Sequence, residues 1–157
     1  MANDSRPADL ALHSSYPVLQ TVSKSVIKWK STLSKGDQLE LQFQKIQSGK
    51  LFYQCVLAAV VPSELLVRLN NELRESLNSD GTSHAGLSDY FPHLSIVYGD
   101  LNQQQKEVLV ERATSTLSDM HGFVPKDILV VKTSGPSNEW AKLAKISLQD
   151  GAIESLS

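Results

Sequence analysis

From residue 38 the chain alternates. Leu39, Leu41 and Phe43 share one parity, and Gln38, Glu40, Gln42 and Gln44 the other. A period of two marks a strand with one buried face, so this stretch predicts a half-buried strand. Ser48-Gly49-Lys50 reads as a turn and Leu51 to Val61 as a longer apolar strand, which together predict an antiparallel hairpin. Upstream the period changes. Val22, Val26, Trp29 and Leu33 recur at helical spacing, with Lys24, Lys28 and Lys30 as a solvated arc. Gly36-Asp37 ends that helix and Ser14 to Pro17 reads as the turn before it. Leu10 and Leu12 alternate with Asp9, Ala11 and His13 as a short strand, and residues 1–7 read as frayed.

The second half repeats this rhythm. Ser63 is placed to cap a helix whose apolar stripe is Leu65, Leu66, Leu69, Leu73 and Leu77. Residues 78–90 hold Asn78, Ser79, Asp80, Gly81, Ser83 and Gly86 and predict a loop. A strand over Phe91–Tyr98 follows, closed by Gly99-Asp100. Asn102 and Gln105 resemble a capping box for a helix of Leu109, Ala113 and Leu117. Strands at Ile128–Lys132 and Trp140–Leu148 flank the turn residues Ser134 to Asn138, and residues 149–157 read as disordered. The element order is a β-α-β-β unit repeated around a linking helix. It predicts an α+β fold of two pseudo-symmetric lobes, with antiparallel sheets around a central cleft. The expected lobes are residues 8–61 and 62–148 of one domain spanning 1–157.

Composition narrows the function classes. A chain of 157 residues with net charge −2 carries no global basic field for nucleic acid, which leaves room for a small nucleotide in a local cleft. Cys55 is the only cysteine, so no intrachain disulfide forms, as fits a reducing compartment. The longest apolar run, Cys55 to Val61, is too short to span a bilayer, and the N-terminus lacks a signal-peptide pattern. The expectation is a cytoplasmic monomer. Four histidines and one cysteine, widely spaced, form no zinc pattern, so no metal or other cofactor is expected. His84 and His121, beside Gly86 and Gly122, read as surface residues.

The chemistry concentrates in Phe91-Pro92-His93-Leu94-Ser95-Ile96-Val97-Tyr98. Pro92 biases Phe91 toward extended geometry and fixes its own φ, which suits the start of a strand. Alternation then puts His93, Ser95 and Val97 on one face and Leu94, Ile96 and Tyr98 on the other. An imidazole and a hydroxyl side by side can move a proton and hold an anionic oxygen in one place. Phe52 and Tyr53 fall near the expected cleft, where one could stack on a base while the other belongs to the core.

Pro92-His93-Leu94-Ser95-Ile96-Val97-Tyr98 resembles the second His-x-Ser/Thr motif of the 2H phosphoesterases, and is most similar to the cyclic phosphodiesterases of plants and fungi. The likeness extends to Gly49-Lys50-Leu51-Phe52-Tyr53-Gln54-Cys55-Val56, to Asp100–Ala113, and to the segment from Lys132-Thr133 to Trp140. It covers the chain from about residue 22 to 148. The resemblance implies metal-independent hydrolysis of nucleoside 2′,3′-cyclic phosphates to 2′-phosphates. It also implies opening of ADP-ribose 1″,2″-cyclic phosphate arising from tRNA splicing, and Golgi association for the fungal relatives. Two histidines would serve as acid and base while neighbouring hydroxyls hold the phosphate. His93 and Ser95 match one pair, with Tyr98 as a substrate contact.

The other pair belongs on the opening strand, near residues 9–13. If Leu10 and Leu12 keep the apolar face, Asp9 and Ala11 stand at the histidine and hydroxyl positions. Alternatively His13-Ser14-Ser15 supplies a shifted His-x-Ser triplet, with His13 catalytic and Ser15 on the phosphate. Family members carry a further strand and helix before the first motif, so the first lobe is expected to lack its N-terminal strand. The alternative to an enzyme is a degenerate or truncated relative that binds nucleotides or RNA ends without turnover.

Overall fold

Pro17 opens the first described helix, α1 (Pro17–Ser31), rather than closing a turn before it. Its missing N–H costs nothing at a first helical position. The computed structural model describes residues 17–78 and 90–156. The strand expected at 9–13, with Asp9, Ala11, His13 and Ser15, lies outside them, as does His84. So does any test of whether a first-lobe strand is absent.

The remaining elements are β1 (Leu41–Ser48), a 3-10 turn (Phe52–Gln54), β2 (Val56–Val60), α2 (Glu64–Asn78), β3 (His93–Val97), α3 (Gln103–Thr116), β4 (Gly122–Phe123), β5 (Asp127–Lys132), a second 3-10 turn (Ser137–Glu139), β6 (Ala141–Ser147) and β7 (Ile153–Ser155). This is an α+β fold with antiparallel sheets, as the patterning predicts. Pairing departs from chain order. The β1–β2 hairpin joins β3 and β4 in a four-stranded sheet, β3-β2-β1-β4, and the other sheet is β5-β6-β7. The sheets therefore do not divide at residue 61. Among the described residues one unit holds 17–37, 68–78 and 125–156, and the other 38–67 and 90–124.

In the first of these units α1 buries Val22, Val26 and Trp29 of the predicted stripe together with Leu19, and packs on β6, while Leu33, the last residue of that stripe, lies beyond the helix and is half-buried. Ser23 and Ser25 are also buried, each satisfied through its hydroxyl. Ser23 donates to the Gly151 carbonyl at 2.7 Å and Ser25 to that of Thr21 at 2.9 Å. Lys28 is less solitary than a solvated face suggests. Its ammonium lies 2.8 Å from Glu72, and that hydrogen bond raises its pKa.

Residues 149–156 are not a disordered tail. β7 pairs with β6, and Gly151 makes the corner at φ +74°, in the left-handed region that favours glycine. A Cβ there would also meet the Ile27 side chain at 2.6 Å. Apart from Ile153 this strand is short and polar, so periodicity could not reveal it.

The Asp150 carboxylate accepts from the Ala152 N–H at 3.1 Å, and with the Ser147 hydroxyl this holds its pKa below the usual carboxylate value. A group whose folded pKa is depressed contributes fully above its unfolded pKa, and that contribution fades as pH falls through the lowered value. The β6–β7 corner should therefore loosen on acidification below about pH 4. Melting temperature followed through that range in wild type and Asp150→Asn checks this. The variant should show a shallower acid decline, and parallel curves would refute the assignment.

In the other unit β2 is buried throughout, Val56 through Val60. Residues 51–61 are not one continuous strand: the Gln54 N–H donates to the Leu51 carbonyl and a 3-10 turn intervenes before β2. Gly49 closes this loop, donating to the Cys55 carbonyl at 3.1 Å and accepting from the Lys106 ammonium at 2.8 Å. A Cβ on residue 49 would collide with the Gln54 carbonyl oxygen. Gly49→Ala should therefore destabilise the protein by roughly 1–3 kcal/mol, the usual scale of overpacking. Thermal unfolding by circular dichroism reads this directly, and an unchanged melting curve would contradict it.

Ser63 stands before α2, with the Leu66 N–H 3.4 Å from its hydroxyl, but of the expected leucine stripe only Leu69 is fully buried. The capping box of α3 is present in both directions, Gln105 N–H to Asn102 Oδ1 at 2.9 Å and Asn102 N–H to Gln105 Oε1 at 3.0 Å. The helix packs against β1 and β2.

Candidate functional site

β3 is the edge of its sheet among the described residues, and the fully buried β2 holds it in place. His93 pairs with Ala59, Leu94 with Ala58 and Ser95 with Leu57, and a register shift follows before Val97 meets Val56. Pro92 cannot donate to a ladder, yet its carbonyl extends this one by accepting from the Val60 N–H at 2.9 Å. The strand is thus aligned from its first residue. His93 and Ser95 share a face, both half-buried.

The His93 imidazole is held at two points. Nδ1 lies 2.8 Å from the Phe91 carbonyl oxygen, which can only accept, so Nδ1 carries the hydrogen. In the neutral ring the lone pair then sits on Nε2. The Phe91 ring also stacks on the imidazole, with centroids 5.4 Å apart and planes at 22°. A ring fixed in tautomer and plane can take a proton at Nε2 and return it there.

Ser95 is engaged differently. Its hydroxyl donates to the Tyr53 carbonyl at 2.8 Å, so its one proton points at the 3-10 turn. To donate to a phosphate oxygen it must exchange that acceptor. The turn is tied to the end of β3 by Gly99, whose N–H donates to the Phe52 carbonyl at 3.1 Å. Tyr98 lies just past the strand and meets Tyr53 edge-on at 5.6 Å, as Tyr53 meets Phe52 at 5.0 Å. All three rings are exposed, so neither Phe52 nor Tyr53 is core. Leu94 is also 44% exposed, although alternation turns it away from His93.

Two of the sequence-predicted site residues, His93 and Ser95, are thus neighbours on one face of β3. Tyr98 lies one residue past the strand, its ring against that of Tyr53, whose backbone carbonyl Ser95 bonds. His13 and Ser15 lie outside the described residues. Two contributors escaped sequence reasoning, the carbonyls of Phe91 and Tyr53. The Phe91-Pro92-His93 spacing carried a signal for the first, because proline holds the preceding residue extended. Nothing local signals the second.

An open cleft of about 340 Å³ adjoins the site, lined by Leu41, Val60, Leu66, Tyr90, Phe91, Pro92 and His93. Among the described residues no cluster of three or more His, Cys, Asp or Glu side chains could hold a metal ion. Nor is any described helix long and apolar enough to cross a membrane.

The family model described as cyclic phosphodiesterase-like protein matches residues 7–148. No curated protein matches the chain.

Proposed function

The chain belongs to the cyclic phosphodiesterase-like family, and from that premise we propose that it hydrolyses nucleoside 2′,3′-cyclic phosphates to 2′-phosphates. ADP-ribose 1″,2″-cyclic phosphate is the second candidate substrate, and tRNA splicing the process that would generate it. The general class, a cyclic phosphodiesterase hydrolase, comes from the family. The observation that carries the finer reading is the Nδ1–H bond of His93 to Phe91, which leaves Nε2 to exchange the proton, with Ser95 beside it.

Opening a cyclic phosphodiester needs a base to take a proton from water and an acid to protonate the departing ribose oxygen. His93 supplies one of these groups. We assign the other to His13, with Ser15 as the second phosphate-binding hydroxyl. Ser95 holds a phosphate oxygen as charge builds on it, once its hydroxyl turns away from Tyr53.

The test is turnover of adenosine 2′,3′-cyclic phosphate and of ADP-ribose 1″,2″-cyclic phosphate by the full chain, alongside His13→Ala. Turnover of the nucleotide that falls sharply in the variant supports the two-histidine assignment. A His13→Ala protein as active as wild type removes His13 from it. Binding of the cyclic nucleotide without turnover would make the chain a nucleotide-binding relative.

A further inference from the structure

We infer that Lys106 is a positioning residue for the Ser95 hydroxyl, acting through the 3-10 turn at Phe52–Gln54; the inference rests on the hydrolytic reading above. Lys106 is the fourth residue of α3, close to the end where aligned peptide dipoles gather positive charge. A cation is poorly placed there, and the first turn holds no acidic residue to offset it. The ammonium instead reaches away from the helix and donates to the Gly49 carbonyl at 2.8 Å, 57 residues distant in sequence. Among the described residues that carbonyl is its only side-chain hydrogen-bond partner. A half-buried lysine aimed at one neutral carbonyl serves the backbone it holds.

That backbone is the loop on which Ser95 rests. Gly49 donates to the Cys55 carbonyl at 3.1 Å, which closes residues 49–55 into a ring. Within the ring the Gln54 N–H donates to Leu51, and the Tyr53 carbonyl accepts from the Ser95 hydroxyl at 2.8 Å. Ser95 lies on β3, and Gly99, which donates to Phe52, lies just past it. Lys106 ties the same loop to α3. With the loop fixed, the bond to Tyr53 keeps Ser95 Oγ in one staggered position. The hydroxyl can then turn from Tyr53 to a phosphate oxygen by rotation about Cβ–Oγ alone, its oxygen already in place. A slack loop lets Oγ spread over the other staggered wells, so it stands ready for only part of the time.

The experiment pairs Lys106→Met, which keeps an apolar stem and removes the ammonium, with Lys106→Arg, which keeps a donor. With the full chain and adenosine 2′,3′-cyclic phosphate, Lys106→Met should lower kcat by roughly 10-fold at nearly constant KM. Lys106→Arg should recover most of the rate. In a Ser95→Ala background the methionine should cost nothing further, because no hydroxyl remains to be positioned. An equal loss in both backgrounds, or an unchanged kcat when Ser95 is present, overturns the assignment. The Hα–Hβ couplings of Ser95, read by NMR, need no turnover. They should report one χ1 rotamer in wild type and averaging in Lys106→Met, and equal couplings in the two proteins also overturn the assignment. If the couplings average but wild type turns over no cyclic phosphate, Lys106 keeps its hold on Ser95 and the hydrolytic reading fails.

Discussion

Replacing His93 by alanine should lower kcat/KM for adenosine 2′,3′-cyclic phosphate by about 10²–10⁴-fold, the contribution of one positioned acid or base. The fold should survive. His93 is half-buried, and what alanine removes is its bond to the Phe91 carbonyl and its stack on the Phe91 ring, while the β2–β3 ladder is made by backbone. Circular dichroism and melting temperature separate the two effects. Activity lost with melting retained places the imidazole in the chemistry, whereas activity retained would leave His93 a structural residue. His93→Gln is the sharper companion, because an amide can replace the hydrogen bond to Phe91 but cannot shuttle a proton near neutrality.

Ser95→Ala carries the second large effect. If the hydroxyl turns from Tyr53 to a phosphate oxygen during reaction, its removal should cost about 10²–10³-fold in kcat, as for loss of one donor to developing charge. The same change removes the Ser95–Tyr53 hydrogen bond, worth about 0.5–1.5 kcal/mol in stability. Ser95→Thr keeps the hydroxyl and should recover most of the rate. Single-turnover measurements on both variants check this. An alanine variant as fast as wild type would confine Ser95 to holding the 3-10 turn.

Much of the site was readable because it is local. His93 and Ser95 share a face through period-two alternation, and Pro92 sets the start of β3 by its own ring. The Asn102–Gln105 box is equally local and stands where the pattern put it, and the expected hairpin forms between β1 and β2, with shifted strand limits. Which strands are neighbours is a different kind of information. Period two marks a strand without naming its partner, so the placement of β1–β2 beside β3 could not be read from the halves of the chain. β4, only two residues long, and β7, mostly polar, carry too little pattern to register. The 3-10 turn at Phe52–Gln54 was hidden inside an apolar run that looks like strand throughout. That turn supplies the carbonyl on which Ser95 rests.

If His93 and Ser95 on β3 serve hydrolysis of a cyclic phosphodiester, the attacking oxygen comes from water. Reaction of the full chain with adenosine 2′,3′-cyclic phosphate in heavy-oxygen water, followed by phosphorus NMR, tests it most directly. The predicted product is adenosine 2′-phosphate carrying one solvent oxygen on phosphorus, formed by wild type and scarcely by His93→Ala. A 3′-phosphate product, or no product from the full chain, would contradict it.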